Sequence, residues 1–463
     1  MKSVFRSLFS LLLIAVIAGF PNSAHADVAP PSHPPGSNPG PDAETTQVRM
    51  ISETVLLEVL AAAPKNSLGR AKVTADFIMR NLGTDAESMG VRFPISSNNG
   101  FGEYPEITDL GIKVDGNPVP TRRIMEEDPM WGSDPVPWAE FDVTFPPSRD
   151  VHIQVAYLIE GTGEYPFAAF YYVFHTGAGW KDSIGSADLI VRFPYEANLF
   201  NVIFEEEIGW STTTPGGVIG GREIRWHFEN LEPDRSSDFQ LSLVMPSAWQ
   251  KVLTEQANVQ KDPNDGEAWG RLGKLYKEMF FFRRGFRHDP GGDQLYGLSI
   301  QAYEKAVVLL PDDALWHAGF SDLLAVHAYY SSQENEDARA EMLRSMQEIW
   351  RALELSPNDP KVKEIAEKIY YLFPDAIQQL ESGYDFLWLT ATPVFSTPTL
   401  ALDQPTPTPQ PPPAASFTPT VIPATETKPA PETAPSGNPF CGSAVLVPLA
   451  LVWFMRRKRN HLL

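Results

Sequence analysis

The apolar residues of this 463-residue chain follow two different periods. Up to about residue 248 they recur at every second position, and from there to about residue 375 they recur every three to four positions. A period of two is typical of strands with one buried face, and a period near 3.6 is typical of helices. The pattern therefore predicts a multidomain protein in which an all-β region, residues 43–248, precedes a small all-α domain, residues 249–385.

Six runs in the first region show the alternation clearly, with polar residues in most of the gaps. About ten strands without intervening helices predict an antiparallel β-sandwich, or two small ones in tandem. Asp115-Gly116, after a further predicted strand, is typical of a tight hairpin turn. The six apolar sets are Val73, Ala75, Phe77 and Met79; Phe141, Val143 and Phe145; Val151, Ile153, Val155 and Tyr157; Ala187, Leu189, Val191 and Phe193; Ile224, Trp226 and Phe228; and Phe239, Leu241, Leu243 and Met245.

Two signatures in the helical region have the spacing of a helical repeat. One is W-x2-L-G-x2-Y and the other is Y-x2-A-x4-P, and together they resemble the tetratricopeptide repeat. The resemblance implies pairs of antiparallel helices that form a protein-binding module. Between Tyr276 and Ser299, the small residue expected in the second helix, the chain has a 14-residue insertion relative to the repeat. The anchors are Trp269, Leu272, Gly273, Tyr276, Tyr303, Ala306 and Pro311.

A second, degenerate copy follows the first. Ala352 and Pro357 match the end of the repeat, but Trp316 stands one place too early in ALWHAGFSDLLAVHAYY. The segment KVKEIAEKIYYLF, with Tyr370, is predicted to form the closing helix. Two repeats and a cap are close to the minimum that stacking needs.

The insertion KEMFFFRRGFRHDPGG, residues 277–292, mixes aromatic rings with arginines in an acidic region. Such mixtures are typical of interaction hot spots, and the segment is therefore a candidate partner-binding site. The alternative is internal: the rings cap a short helical stack, and the arginines pair with the chain's own acids. The candidate residues are Phe280, Phe281, Phe282, Arg283, Arg284, Phe286 and Arg287.

Both ends of the chain carry targeting signals. Residues 1–26 have the basic start, apolar run and small-x-small end of a signal peptide, with cleavage predicted after Ala26. A Pro-rich spacer, residues 27–42, follows. Residues 386–439 form a predicted stalk, since residues 391–440 contain 14 Pro and 10 Thr.

The last segments predict attachment to a membrane. Residues 440–455 are apolar or small, and the basic tail 456–463 is expected to stay in the cytoplasm. This arrangement predicts a single-pass cell-membrane protein with its bulk outside the cytoplasm. A short apolar segment that begins near Cys441 also resembles a bacterial C-terminal sorting signal, in which the tail is processed.

Charge and cysteine content exclude several classes of function. The net charge is −21, and residues 43–375 carry 51 acidic against 30 basic residues. Such a surface repels nucleic acid and anionic lipid. The single Cys441 gives no intramolecular disulfide and no cysteine metal site. The sequence has no cofactor motif, and we expect neither a cofactor nor a metal.

The loop in YYVFHTGAGWKDSIGSADLIVRFP, residues 171–194, resembles a phosphate-binding loop only superficially. A Walker loop needs Gly before its Lys, whereas Lys181 follows Trp180 and precedes Asp182. We therefore interpret Trp180 as an apolar anchor. With SETVLLEV, AKVTADFIMRNLG and EIRWHFENLEPD, this segment is similar to exported bacterial β-sandwich domains of unknown function, which implies a fold and no chemistry.

No catalytic motif identifies the chain as an enzyme. H-E-x-x-H and G-x-S-x-G are missing, and DPNDGE, residues 262–267, departs from a calcium loop and fits an inter-repeat turn. The consecutive Glu205, Glu206 and Glu207 fit a solvated strand edge better than a metal site, and the alternative is that Glu205 and Glu207 share an ion weakly. We therefore predict a non-catalytic, surface-anchored protein that binds a protein or peptide partner. The alternatives are an exported hydrolase that acts on cell-envelope glycan through β-region carboxylates, and a structural envelope component.

Overall fold

The chain changes from strands to helices at residue 246, close to the boundary that the periodicity predicts. The computed structural model describes residues 40–41, 46–65, 67–96, 106–128, 135–204, 212–284, 289–331, 336–380 and 383–390. The predicted signal peptide, most of the stalk, and the C-terminal segment with Cys441 lie outside the described residues. All described residues belong to one compact unit.

Fourteen strands precede the first α-helix in the described ranges. They are β1 Gly40–Pro41, β2 Val48–Val59, β3 Arg70–Asn81, β4 Glu87–Pro94, β5 Thr108–Val114, β6 Asn117–Pro118, β7 Arg122–Glu127, β8 Pro135–Phe145, β9 Asp150–Glu160, β10 Phe167–Tyr172, β11 Ile184–Arg192, β12 Val218–Gly220, β13 Glu223–Leu231 and β14 Phe239–Val244.

These strands form three sheets. The largest has eight strands in the order β12-β13-β11-β2-β3-β9-β5-β6, the second has the order β1-β4-β8-β7, and β10 pairs with β14. All neighbours are antiparallel except β2 and β11, which are parallel, with Leu57 opposite Val191. The prediction of purely antiparallel strands is therefore wrong at this pair. Parallel strands need a long connection, and more than 120 residues separate these two.

The alternating residues of the sheets build one hydrophobic core. On β3, Val73, Ala75 and Phe77 are fully buried, whereas the residues between them are half-buried or exposed. The rings of Phe93 on β4 and Tyr157 on β9 lie 5.5 Å apart between centroids and join two of the sheets. Because the buried residues of the sheets form one cluster, the strands form one layered structure rather than two sandwiches in tandem.

The predicted hairpin turn at Asp115-Gly116 is confirmed. Val114 pairs with Asn117 across it, and the two turn residues have φ of 47° and 78°. Positive φ at both central residues is the geometry of a type I′ turn, which glycine adopts without steric cost.

Seven helices are found in the described part of the chain after β14. They are α1 Pro246–Lys261, α2 Gly266–Arg283, α3 Pro290–Leu309, α4 Ala314–Tyr330, α5 Glu336–Leu355, α6 Pro360–Leu372 and the short α7 Leu387–Thr390, with strands β15 Gln378–Leu380 and β16 Gly383–Asp385 before α7.

An aspartate caps four of these helices. Asp265 accepts a hydrogen bond from the Ala268 amide at 2.9 Å, and Asp289, Asp313 and Asp359 cap α3, α4 and α6 in the same way. A capping carboxylate satisfies amides that have no partner inside the helix. The segment DPNDGE is therefore the turn before α2, as its sequence predicts.

The helices are arranged in consecutive pairs, α2 with α3 and α4 with α5, and α6 packs against α4. Gly273 permits the close approach within the first pair, because a Cβ there would lie 3.1 Å from the Tyr303 ring. Ser299 is buried and donates a hydrogen bond to the Gly273 carbonyl at 2.8 Å. This small residue of α3 therefore packs directly against α2.

The folded part extends beyond both predicted boundaries. Gly40 and Pro41, at the end of the predicted spacer, pair with Arg92 and Val91 of β4. Phe386 is buried, and α7 follows it, so the first residues of the predicted stalk belong to the folded part. None of the helices in the described ranges is long and apolar enough to span a membrane.

Candidate functional site

The aromatic and arginine insertion lengthens two helices instead of forming a separate element. Its first half is the C-terminal part of α2, and its DPGG end contains the cap and first turn of α3. The candidate residues therefore point in several directions around one helix. Phe286 and Arg287 lie outside the described residues.

Phe280 is buried and Phe282 is half-buried, and both pack against other aromatic rings. Phe280 is 5% exposed, and its ring lies 5.1 Å from that of Tyr296 on α3. Phe282 stacks on Phe167 of β10 at 4.5 Å with an interplanar angle of 21°. The α2 helix is therefore joined to the sheet region by aromatic packing, and the two regions share one hydrophobic core.

Arg283 is also interior, with 1% exposure. Its Nε donates to Asp289 Oδ2 at 2.6 Å, its Nη2 donates to the other oxygen of the same carboxylate, and its Nη1 donates to the Leu199 carbonyl at 2.7 Å and the Phe200 carbonyl at 3.2 Å. The guanidinium thus joins the turn between α2 and α3 to the sheet region.

Phe280, Phe282 and Arg283 have partners inside the protein, and these contacts support the internal alternative for them. Partner binding by these three residues stays a prediction. Gly291 permits the same close contact between the start of α3 and the sheet region, since a Cβ at that position would collide with the Leu199 carbonyl.

Phe281 is half-buried, and Arg284, at the C-terminal end of α2, is exposed. The Phe281 ring is surrounded by three cations, with Lys368 Nζ at 4.9 Å, Lys277 Nζ at 5.6 Å and the Arg284 guanidinium carbon at 5.7 Å from its centroid. Arg284 also lies 5.2 Å above the ring of Tyr330, which is 59% exposed. Cations at these distances are attracted by the negative faces of aromatic rings.

Asp322 on α4 connects two of these cations. Its Oδ2 accepts a hydrogen bond from Lys277 on α2 at 3.0 Å, and its Oδ1 accepts one from Lys368 on α6 at 2.6 Å. Burial alone would raise the pKa of this carboxyl, but the two ammonium groups outweigh burial and hold the pKa of Asp322 below its ordinary value. Asp322 is therefore ionised at neutral pH.

The cationic face, as we call this surface, consists of Lys277, Phe281, Arg284, Asp322, Tyr330 and Lys368. Two lysines share one carboxylate on it. Arg284 forms no ion pair within the described ranges. The face therefore has an excess of positive charge, although the chain as a whole has a net charge of −21.

Sequence reasoning finds Phe281 and Arg284 but misses Lys277, Asp322 and Lys368. The last two are far from the insertion in sequence, and only the helix pairing brings them to it. One signal was available: Asp322 is the only carboxylate in the otherwise apolar ALWHAGFSDLLAVHAYY. A charge in such a helix needs a partner, because an unpaired buried carboxylate is costly.

The predicted repeat anchors lie where helices pack. Leu272, Tyr276, Tyr303 and Ala306 are buried between α2 and α3 or α2 and α1. The Trp269 indole donates to the Pro263 carbonyl at 2.9 Å, and the Pro311 carbonyl accepts a bond from His317 at 3.1 Å. These residues hold the helices together, and Tyr303 also contacts the cationic face, since Lys277 Nζ lies 5.7 Å from its ring centroid.

The glycine-containing loop of residues 175–183 is a structural connection. Asp238 holds its start through the backbone amides of Phe174 and His175 and the His175 ring. Trp180 is 5% exposed and lies edge-on to Phe145 at 5.9 Å. These contacts agree with the interpretation of Trp180 as an apolar anchor.

Two clefts among the described residues lack the arrangement typical of hydrolysis. One cleft between α1 and the segment 194–200 is lined by a single carboxylate, Glu196, and another near α7 by a single carboxylate, Asp375. Glycoside hydrolysis ordinarily uses two carboxyl groups that flank the bond. No metal-binding cluster of His, Cys, Asp or Glu occurs in the described part of the chain.

Comparison with known proteins gives little further information. No family model matches the chain, and no curated protein matches it by sequence. A solved structure from Legionella pneumophila subsp. pneumophila str. Philadelphia 1, described as a “putative nutrient binding protein”, matches with a TM-score of 0.39 and 18% identity, covering 58% of this chain and 98% of that one. A likeness this weak carries no argument about fold or function.

Proposed function

We propose that this chain is a non-catalytic, membrane-anchored interaction protein whose helical region binds an acidic segment of a protein partner outside the cytoplasm. Attachment through residues 440–455 and a tetratricopeptide-like identity of the helices belong to the same proposal. The supporting observation is the excess of positive charge on the cationic face.

The chemistry of the face matches a carboxylate-bearing ligand. Arg284 is exposed and offers guanidinium donors that no acid of the described residues occupies, and guanidinium groups bind carboxylates in a bidentate manner. Lys368 is 42% exposed at its side chain and can form further hydrogen bonds beside its bond to Asp322. Tyr330 and Phe281 add apolar area next to these donors. Rings beside arginine are typical of residues that dominate binding energy.

The acidity of the rest of the chain does not prevent such binding. At physiological ionic strength the Debye length is about 8 Å, so charges farther away are largely screened. A peptide on the face would mainly experience Lys277, Lys368, Arg284 and Asp322. Repulsion by the remaining surface would slow the approach of an acidic partner and would exclude those that do not fit the face.

Direct binding of a labelled peptide tests this function. The full chain in detergent is titrated with a fluorescent decapeptide rich in Asp and Glu that contains one Phe, and anisotropy is measured. We expect binding that Arg284→Glu with Lys368→Glu weakens at least tenfold. Lys361→Glu, a charge reversal of an exposed residue on the same helix α6, is the matched control and should change affinity less than twofold. Equal affinities of the two variants would disprove the role of the face.

A further inference from the structure

The cleft between α1 and the segment 194–200 lies where α1 meets the sheet region. It has a volume of about 750 Å³ and is formed by the segment 194–200, Arg222 and the N-terminal half of α1. Ligand sites usually have volumes of about 300 to 1,000 Å³. The cleft does not include any residue of the cationic face.

The base of the cleft is formed by two buried aromatic side chains. Tyr195 and Trp249 are 6% and 4% exposed, and their ring centroids lie 6.1 Å apart. The Tyr195 hydroxyl donates to the Val244 carbonyl, which fixes this ring. The indole N–H of Trp249, by contrast, forms no hydrogen bond with any residue that the structure describes, although Trp249 lines the cleft.

The polar lining of the cleft is neutral overall. Gln250 and Ser247 of α1 offer groups that both donate and accept hydrogen bonds. Glu196 and Arg222 are the charged residues of the lining, and they pair at 3.5 Å with side chains that are 67% and 63% exposed. An exposed pair of this kind is weak, so its donors and acceptors can turn to a ligand at little cost.

These features fit one class of ligand best. Sugar hydroxyls both donate and accept hydrogen bonds, as side-chain amides and hydroxyls do, and the apolar face of a sugar ring packs on aromatic side chains. We propose that this cleft binds a short neutral oligosaccharide. Since the cleft lining has one carboxylate and glycoside hydrolysis ordinarily uses two, we expect the ligand to be bound and not hydrolysed.

Binding of defined trisaccharides tests the proposal. The full chain in detergent is titrated with tri-N-acetylchitotriose, cellotriose and maltotriose. The heat of binding and the NMR signal of the Trp249 indole are recorded. We expect at least one trisaccharide to bind and to shift that signal. Gln250→Ala and Arg222→Ala should each weaken binding at least fivefold, and Leu253→Trp, which fills the cleft, should abolish it. Lys251→Ala, one position from Gln250 but outside the cleft lining, should change affinity less than twofold.

Three outcomes would overturn the proposal: no binding of any of the three sugars at millimolar concentration, binding that Gln250→Ala and Arg222→Ala leave unchanged, or binding of an acidic trisaccharide of galacturonic acid with none of the neutral ones. Because Arg284→Glu lies outside this cleft, it should leave sugar binding unchanged. A failure of sugar binding in the cleft is therefore distinguishable from a failure of peptide binding at the cationic face.

Discussion

Neighbouring residues of the FFFRR run have opposite roles, and their positions around α2 explain the difference. A helix turns by about 100° per residue, so Arg283 faces the sheet region while Arg284 faces solvent. Composition alone predicts one common role for the whole run. The sequence indicates that these residues are important. Which of them are buried depends on the side of α2 that packs against the sheet region, and only the structure shows that side.

Substitution of Arg283 should destabilise the fold. Arg283→Met removes four hydrogen bonds and leaves Asp289 buried without its partner, and loss of one member of a buried pair costs about 3 kcal/mol or more. Arg284→Met is the matched control and should change the free energy of unfolding by no more than about 0.5 kcal/mol. Urea denaturation of both variants measures the difference. Equal stabilities would contradict the burial of Arg283.

His227 on β13 should have a pKa above its ordinary value. Asp188 lies 2.7 Å from its Nδ1 and Glu229 lies 2.9 Å from its Nε2, and hydrogen bonds to these carboxylates raise the pKa of His227. A raised folded-state pKa stabilises the fold below the unfolded pKa of about 6.5, and the effect is lost as the pH rises through the folded value. An NMR titration should show this shift, and Asp188→Asn should reduce it. A pKa at or below the ordinary value would refute the contact.

At the scale of elements, the period of the apolar residues predicts element type well and strand direction poorly. The runs around Val73, Val151 and Leu189 are strands, as predicted. A strand with one buried face has the same alternation whether its neighbour is parallel or antiparallel. The parallel pairing of β2 with β11 therefore leaves no trace in the alternation, and only the fold places Leu57 opposite Val191.

The ion network of Lys277, Asp322 and Lys368 joins α2, α4 and α6, and its loss should loosen these helices. Asp322→Asn leaves Lys277 without its carboxylate, and we expect a loss of about 2 kcal/mol at neutral pH, as for hydrogen bonds to charged groups. Denaturation with tyrosine and tryptophan fluorescence measures the loss.

The contribution of Asp322 should depend on pH in one direction. Its folded-state pKa is depressed, so the stabilisation is complete above the ordinary pKa of 3.8 and is lost as the pH falls through the folded value. The difference between wild type and Asp322→Asn should therefore disappear in strongly acidic solution. A difference that grows as the pH falls would show that Asp322 is protonated in the native state.

At the scale of the whole molecule, the packing of the helical region against the sheet region was not predictable from the sequence. Periodicity places a boundary near residue 248, and the change of element type occurs there. A change of period carries no information on whether two regions share a core. Phe282 on Phe167 and Arg283 on the Leu199 carbonyl show that they do. Deletion of the helical region should consequently expose aromatic residues of the sheet region.

The orientation of the chain in the membrane remains a prediction from the targeting signals. Residues 43–385 are expected outside the cytoplasm, because the signal peptide and the basic tail fix the two ends. Protease added to intact cells should therefore remove this region, whereas a cytoplasmic marker protein stays intact. Protection of residues 43–385 until the cells are lysed would show that the orientation is wrong.

Reversal of the charge of the cationic face tests the proposed function most directly, because it should change which peptide, acidic or basic, the protein prefers. The variant with Arg284→Glu and Lys368→Glu is titrated with the acidic decapeptide and with a basic twin in which Lys and Arg replace Asp and Glu. We expect wild type to bind only the acidic peptide, more weakly as salt increases, and the variant to bind the basic peptide better. If wild type binds both peptides equally, or if the variant keeps its preference for the acidic one, the cationic face is not the binding site.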